Sequence, residues 1–166
     1  MEIQALSRTY QVKRIKAPDL PAVFALCSGN PQYYRHCPPF VSLESIQEDM
    51  DALPPGKEII DKYYLGFWDA DRLIAVMDLI LAYPDKQTAF IGFFMTESAI
   101  QGKGIGSAII EDACSYIKLH FSNIRLGYVK ENMQSKNFWE KNGFLPTGAM
   151  SKTESYEIVV MEKALS

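Results

Sequence analysis

Three glycines alternate with other residues where an apolar segment meets a helical pattern, and this spacing suits the binding of a phosphate group. The turn has the sequence Gln101-Gly102-Lys103-Gly104-Ile105-Gly106-Ser107 and follows the apolar residues 89–95. A helix that begins here leaves several backbone amides unpaired, and its dipole adds positive charge at the same end. Because glycines carry no side chain, an anion can approach these amides closely. Lys103 either adds a charge to this site or is simply solvated.

The spacing excludes one common nucleotide-binding motif and weakens another. A P-loop requires Ser or Thr directly after its lysine, whereas Lys103 is followed by Gly104. A dinucleotide-binding fingerprint requires a third glycine where this chain has Ser107 or Ile109, depending on the starting glycine. Glu131, after the next predicted strand, is placed like the ribose-binding acid of that fingerprint, so this alternative stays open. A glycine-rich turn without a ligand is the third alternative.

A second segment makes the interpretation more specific. The turn resembles the Gln/Arg-x-x-Gly-x-Gly/Ala signature of the GNAT family of N-acetyltransferases. The family's later Asn-x-x-Ala/Ser-x-x-Phe-Tyr-x-Lys-x-Gly-Phe segment is similar to residues 132–144, which are Asn-Met-Gln-Ser-Lys-Asn-Phe-Trp-Glu-Lys-Asn-Gly-Phe. The two segments lie in the family's order, one helix and one strand apart, and the element order over most of the chain also resembles that fold.

The resemblance implies acetyl-CoA as the co-substrate. Backbone groups of residues 94–96 would face the pantetheine arm like a neighbouring strand, and an amide there would polarise the thioester carbonyl. The glycine-rich turn would hold the pyrophosphate, and the second segment would meet the rest of the cofactor. The implied cofactor-binding residues are Phe94, Met95, Thr96, Gln101, Gly102, Lys103, Gly104, Ile105, Gly106, Ser107, Asn132, Ser135, Phe138 and Lys141.

The match departs from the family pattern at a residue that bears on proton transfer. Trp139 stands where many members carry a tyrosine that protonates the leaving thiolate. An indole N–H donates a hydrogen bond but does not act as an acid. Tyr128, on the strand opposite the expected acetyl site, is a candidate proton donor or a packing residue. The resemblance therefore leaves the general acid unassigned.

Two carboxylates are candidate catalytic residues, because an alkylamine with a pKa of about 10 must lose a proton before it attacks a thioester. Asp78 interrupts the apolar run 73–82, where an unpaired carboxylate is costly. It is therefore structurally paired, hydrated, or functional as a base or an anchor for the amine. Glu97 follows the strand expected to hold the thioester, and it is either a base or a solvated loop residue.

The acceptor pocket is expected near Tyr33 and Tyr34, in a loop between the first two predicted helices, where the family usually builds it. These tyrosines are candidate substrate-binding residues, or they cover the core. His36 and His120 have no metal-ligand spacing with each other or with the cysteines, so no metal site is predicted. The chain has no Gly-x-Ser-x-Gly elbow, so a serine hydrolase is not indicated.

The composition predicts one globular domain over residues 1–166. The chain is 48% hydrophobic and 22% charged, which excludes disordered and low-complexity classes. A net charge of −3 argues against nucleic-acid binding through a basic surface. Its three cysteines form no Cys-x-x-Cys pair, which is typical of reduced thiols. No signal peptide pattern and no apolar run of about 18 residues is evident, so we expect a cytoplasmic protein without a membrane partner.

The hydrophobic pattern predicts an α/β fold with a mixed, mostly antiparallel central sheet of about six to seven strands flanked by helices. We expect helices at about 19–28, 42–53, 105–121 and 135–141, the first of them capped by Asp19. We expect strands at about 10–15, 63–68, 73–82, 88–95, 124–129, 145–150 and 156–161. The resemblance implies a GNAT-like acyl-CoA N-acyltransferase fold.

These observations predict an acetyl-CoA-dependent N-acetyltransferase that transfers the acetyl group to a primary amine of a small molecule or protein, by direct attack in a ternary complex. The alternative is a non-catalytic acyl-CoA-binding or sensing module on the same fold, which Trp139 keeps open. The sequence leaves the identity of the amine undetermined, and also the oligomeric state, for which a homodimer is one option.

Overall fold

The computed structural model describes all of residues 1–166, and a seven-stranded sheet forms its centre. Its strands are β1 Gln11–Arg14, β2 Lys62–Asp69, β3 Arg72–Ile80, β4 Thr88–Thr96, β5 Asn123–Val129, β6 Leu145–Lys152 and β7 Glu157–Ala164. They lie in the order β1-β2-β3-β4-β5-β7-β6, and all neighbours are antiparallel except β4 and β5. The predicted mixed, mostly antiparallel sheet is confirmed.

Five α-helices flank this sheet, and they are α1 Leu20–Ser28, α2 Pro31–His36, α3 Leu43–Asp51, α4 Ile105–Ile117 and α5 Met133–Lys141. Successive side chains of a strand point to opposite faces of a sheet. Leu65 and Met77 accordingly join the larger hydrophobic cluster, which includes α4, whereas Tyr64 and Val76 join a smaller cluster that includes α1 and α3. Both faces of the central strands are therefore covered by helices. No helix has the length and apolar character needed to cross a membrane.

Three local expectations were wrong. The segment with Tyr33 and Tyr34 is the short helix α2, which begins at Pro31, a residue suited to the first helical position. Asp19 does not cap α1, because its carboxylate accepts the Lys16 N–H at 2.9 Å and closes the preceding 3₁₀ turn. Helix α4 ends at Ile117, and the backbone continues from there in turns.

The parallel strands β4 and β5 pair at their starts and separate further along, and this separation creates the site. They pair only from Thr88 with Asn123 to Ile91 with Leu126, although both strands continue beyond these pairs. The next residue of β4, Gly92, is the extra residue of a β-bulge in the pairing with β3. A bulge bends its strand and increases the local twist. The sheet therefore opens into a gap at the carboxyl ends of these two parallel strands.

Candidate active site

A cavity of about 390 Å³ lies at the opened end of β4, between the glycine-rich turn, α5 and residues 29–33, which include the start of α2. All of the cofactor-binding residues implied by the sequence line this cavity except Lys103 and Ile105. The side chain of Ile105 packs against the larger hydrophobic cluster, so only its backbone faces the turn. Lys103 is exposed outside the cavity.

The glycine-rich turn presents unpaired backbone amides at every position from Gly102 to Ser107. Before the turn, Gln101 N donates to Ser98 O at 3.3 Å, and after it the first bonded amide is that of Ala108, which donates to Gly104 O at 3.0 Å. Gly102 and Gly104 adopt φ angles of +77° and +79°, in the left-handed region that favours glycine. Successive amides in such a turn form a concave anion-binding surface at a helix N-terminus. These residues therefore fit the pyrophosphate of acetyl-CoA.

Gly106 keeps three elements of the site close together. A Cβ atom at this position would lie 3.3 Å from Phe138 Cε2 and 3.4 Å from Thr96 Cγ2. The first turn of α4 therefore approaches both β4 and α5 too closely for a larger residue to fit without displacement of its neighbours.

A hydrogen-bond network holds the glycine-rich turn against β4. Gln101 Nε2 donates to Asn30 Oδ1 at 2.6 Å and to Thr96 O at 3.1 Å. Asn30 Nδ2 donates to the same Thr96 O at 3.1 Å and to Leu26 O at 3.0 Å. Gln101 thus positions the turn through its side chain. Asn30 was not among the site residues predicted from the sequence.

Helix α5 is fixed at both ends, so the cavity wall that it forms is well positioned. At its start, Asn132 Oδ1 accepts the Ser135 N–H at 3.1 Å and caps the helix. At its end, Asn142 Nδ2 donates to Ser107 Oγ at 3.2 Å and to Phe138 O at 2.8 Å. The second of these contacts closes the last turn of α5, whereas the bond to Ser107 ties the end of α5 to the first turn of α4.

A second cavity of about 450 Å³ lies beside the gap and is lined mainly by β4, β5 and β7. Four residues line both this cavity and the first one, and they are Tyr33, Phe94, Ser135 and Trp139. The two cavities therefore meet at these side chains. We call the four shared residues the junction and, after the roles proposed for the cavities below, the first the donor cavity and the second the acceptor cavity.

The backbone of Phe94 faces the gap between β4 and β5. Glu97 N donates to Ile74 O of β3 at 2.8 Å, whereas Thr96 O accepts its hydrogen bonds on the opposite side of β4. Because backbone groups of a strand alternate in direction, Phe94 N–H and C=O point to the same side as those of Thr96. The β5 pairing has ended by this point, so these groups face the junction.

Trp139 forms a wall of the junction and is buried among aromatic rings. Its ring centroid lies 4.9 Å from that of Phe138 and 5.1 Å from that of Phe144, both in edge-to-face geometry. The ring of Phe94 lies 6.0 Å away. These contacts fix the indole at the point where the two cavities meet.

Tyr33 lies where the sequence predicted a substrate-binding residue, and Tyr34 does not. Tyr33 belongs to the junction and packs edge-on against Phe93 at a centroid distance of 5.7 Å. Burial raises the pKa of Tyr33, and the neighbouring Cys37 raises it further, so this phenol keeps its proton. Tyr34 lines neither cavity and packs between Tyr33 and Phe40.

Asp78 is buried in an ion pair and lines neither cavity. Lys62 Nζ donates to Asp78 Oδ2 at 3.0 Å and to Ala52 O at 2.8 Å. Asp78 Oδ1 is buried without a hydrogen-bond partner, and a Cβ atom at Gly92 would lie 2.7 Å from Oδ2. Burial raises the pKa of Asp78, and the nearby charge of Lys62 lowers it in part. These contacts favour the structural pairing over a role in catalysis.

Glu97 is also paired away from the cavities. Its two carboxylate oxygens accept hydrogen bonds from Arg72 Nε at 2.7 Å and Nη2 at 2.9 Å. Glu97 lines neither cavity. The role of either carboxylate as a catalytic base stays a prediction. Tyr128, the other candidate for proton transfer, lines the acceptor cavity.

A family model described as the acetyltransferase (GNAT) family matches residues 30–144. The chain therefore belongs to the GNAT family of acetyltransferases, as the two motifs predicted. Family membership supports acetyl-CoA-dependent N-acetylation in general. No curated protein matches the chain in sequence.

Solved structures of acetyltransferases share this fold over nearly their full length. An acetyltransferase from Thermus thermophilus has 16% identity and a TM-score of 0.76, covering 95% of this chain and 97% of that one. PaiA N-acetyltransferase from Thermoplasma acidophilum, in complex with coenzyme A, has 18% identity and a TM-score of 0.66, covering 93% and 98%. Spermidine N-acetyltransferase from Vibrio cholerae, in complex with CoA and spermine, has 19% identity and a TM-score of 0.68, covering 95% and 96%. At such identities the likeness shows a shared fold.

Replacement of Gly104 by alanine should weaken acetyl-CoA binding by at least about 10-fold. A side chain at φ +79° favours a different backbone conformation, which would redirect the unpaired amides of the turn. Gly148→Ala is a matched control, because Gly148 has φ +89°, equally open surroundings and a position in β6 outside both cavities. Calorimetric titration with acetyl-CoA should show unchanged affinity for the control. Equal affinity in both variants would contradict the assignment of the turn.

Replacement of Lys62 by methionine should lower the free energy of unfolding by about 3–5 kcal/mol, because Asp78 is left buried without its countercharge. Addition of Asp78→Asn should recover part of this loss. Since burial disfavours the ionised carboxylate, stability is lost as pH rises above the unfolded pKa of Asp78. The deficit of Lys62→Met should therefore shrink as pH falls towards about 4. Urea denaturation over this pH range measures the deficit in the free energy of unfolding. In a separate assay, turnover by the folded double variant would exclude Asp78 as the base.

Proposed function

We propose that the protein transfers the acetyl group of acetyl-CoA to a primary amine of a small molecule or protein, by direct attack in a ternary complex. The observation that carries this proposal is the meeting of two cavities at Tyr33, Phe94, Ser135 and Trp139. A donor in one cavity and an acceptor in the other would have their reacting groups at the same place. Direct attack then needs no covalent enzyme intermediate. The coenzyme A in two related structures supports the donor assignment.

Acetyl-CoA would supply the activated thioester, and the chain would bind and orient it mainly through backbone groups. The amides from Gly102 to Ser107 would hold the pyrophosphate, as their unpaired state and left-handed glycines support. At the junction, the N–H of Phe94 faces the gap and would polarise the thioester carbonyl. Oriented dipoles of this kind stabilise the negative charge that develops on the carbonyl oxygen.

The acceptor amine must be neutral when it attacks, and the acceptor cavity favours that form. Neither an aspartate nor a glutamate lines this cavity. Transfer of an ammonium group from water into apolar surroundings disfavours its charged form and lowers its pKa. We therefore attribute loss of the proton to desolvation, with the proton released to water at the cavity mouth. Asp78 and Glu97, each held in its own ion pair, are not required for this step.

The thiolate would leave beside hydrogen-bond donors that retain their protons. The phenol of Tyr33 belongs to the junction, and burial raises its pKa, so it donates a hydrogen bond without transferring its proton. The indole of Trp139, which lines both cavities, would offer a second N–H donor. Release of the thiolate then depends on stabilisation by these donors, and the proton that the nitrogen loses as the amide forms passes to the departing thiolate or to water. The tyrosine of the family pattern is then not needed.

The proposal is tested by release of CoA from acetyl-CoA over a panel of primary amines, followed with a thiol reagent. We expect saturable, amine-dependent release with intersecting lines when both substrates are varied. Parallel lines would indicate a covalent acetyl-enzyme and contradict direct attack. Tight binding of acetyl-CoA without release for any amine would instead support the non-catalytic acyl-CoA-binding module.

The pH dependence of kcat/KM should follow the ionisation of the acceptor amine. A hydrogen bond with Cys37 and burial raise the pKa of Tyr156 to about 12, and that of Tyr33 is also raised, so these two of the four tyrosines that line the acceptor cavity stay neutral well above pH 7. We expect kcat/KM to rise about 10-fold per pH unit up to the pKa of the free amine.

Measurement with two amines of different pKa provides the control for this profile. Both profiles are measured in a Cys37→Ser variant, which lacks the thiol that lines the acceptor cavity. The break in the profile should move with the amine. A break that stays at one pH for both amines would indicate a protein base and contradict proton loss by desolvation.

A further inference from the structure

No carboxylate lines the acceptor cavity itself, whereas Glu131, Glu154 and Glu157 line a neighbouring cavity that shares Val129 and Tyr156 with it. Fourteen of its twenty lining residues are hydrophobic, and Arg125 is the only charged one. Arg125 is itself paired, because its Nε and Nη2 atoms approach Glu162 Oε2 at 2.8 Å and 2.7 Å. The cavity therefore presents neither a free carboxylate for an ammonium group nor a free cation for a carboxylate.

Aromatic rings line this cavity from the junction to the paired part of β4. Trp139 and Phe94 lie at the junction, and Tyr33 packs on Phe93. Beside the last β4–β5 pairs, Tyr83 and Phe90 also line the cavity, and their ring centroids lie 5.3 Å apart in edge-to-face geometry. Rings arranged in this way bury apolar and aromatic groups favourably.

The lining discriminates between classes of amine by the charge that the substrate still carries once its reacting ammonium group has lost a proton. A polyamine would place further ammonium groups beside apolar walls, and burial of a charged group without a partner is strongly unfavourable. Cation–π attraction to the rings recovers only a small part of this cost. An amino acid would bury a carboxylate without a free cation. A monoamine loses its only charge when its ammonium group is deprotonated, and the rest of its body gains from burial.

We infer that the acceptor is a primary monoamine with an aromatic or branched aliphatic body and no anionic group. This inference rests on the proposed function and narrows it to one substrate class. The spermine bound in the Vibrio cholerae relative belongs to a protein with only 19% identity, so it does not determine the acceptor of this chain.

The first test compares four probes in the CoA-release assay with the full chain. They are 2-phenylethylamine, 3-methylbutylamine, spermidine and phenylalanine. We expect kcat/KM for the two monoamines to exceed that for spermidine and for phenylalanine by at least about 10-fold. Equal or faster turnover of spermidine or phenylalanine would overturn the inference and leave the proposed function intact.

A binding measurement separates failure of this inference from failure of the proposed function. The same four probes are titrated calorimetrically into the protein saturated with CoA, so that no turnover is needed. Binding of 2-phenylethylamine without CoA release in the assay would retain the inferred class and contradict the proposed activity. Binding of spermidine alone, or of none of the probes, would overturn the inferred class.

A matched pair of variants tests whether the missing carboxylate determines the preference. Ser151 is exposed on β6 and lines the acceptor cavity, so Ser151→Asp introduces a carboxylate there with little risk to folding. Ser155 is exposed on the neighbouring turn and lies outside this cavity. Ser155→Asp therefore adds the same charge nearby.

We expect Ser151→Asp to raise the ratio of kcat/KM for spermidine to that for 2-phenylethylamine by at least about 10-fold. Ser155→Asp should leave the ratio within about 2-fold of the unmodified protein. Equal shifts in the two variants, or no shift in either, would overturn the argument that the uncharged lining selects the substrate.

Discussion

The site depends on the point at which the parallel strands β4 and β5 stop pairing. Up to Ile91 and Leu126 the two strands form a continuous sheet, and beyond Gly92 they separate. Backbone groups that would otherwise bond a neighbouring strand become available at the junction. The glycine-rich turn begins at the end of β4, and α5 follows the end of β5. The opening thus sets the positions of both the donor and the acceptor cavities.

Three ion pairs lie near the opening, and the one charged residue that lines the acceptor cavity belongs to one of them. Asp78 binds Lys62, Glu97 binds Arg72, and the only charged lining residue is held by Glu162. Unpaired charges in such surroundings would attract water and raise the local polarity. The chemistry proposed for the amine therefore depends on where these ion pairs lie as much as on the residues that line the cavity.

Local patterns in the sequence predicted the strands and the donor turn, because alternation and glycine spacing act over a few residues. Helix α2 was missed because six residues are too few to show a helical period. The partners of the two candidate carboxylates were also missed, since Lys62 lies 16 residues from Asp78 and Arg72 lies 25 residues from Glu97. Only the folded sheet brings these charges together, so their pairing could not be derived from local spacing.

The two halves of the site are built from different parts of the polypeptide. The donor turn offers main-chain amides, which every residue except proline possesses, and it needs small residues only where the chain bends or elements touch. The acceptor cavity is formed largely by side chains. Mutation can therefore alter the acceptor cavity residue by residue while the donor turn is preserved. A protein built in this way can acquire a new acceptor through point mutations and still use the same donor.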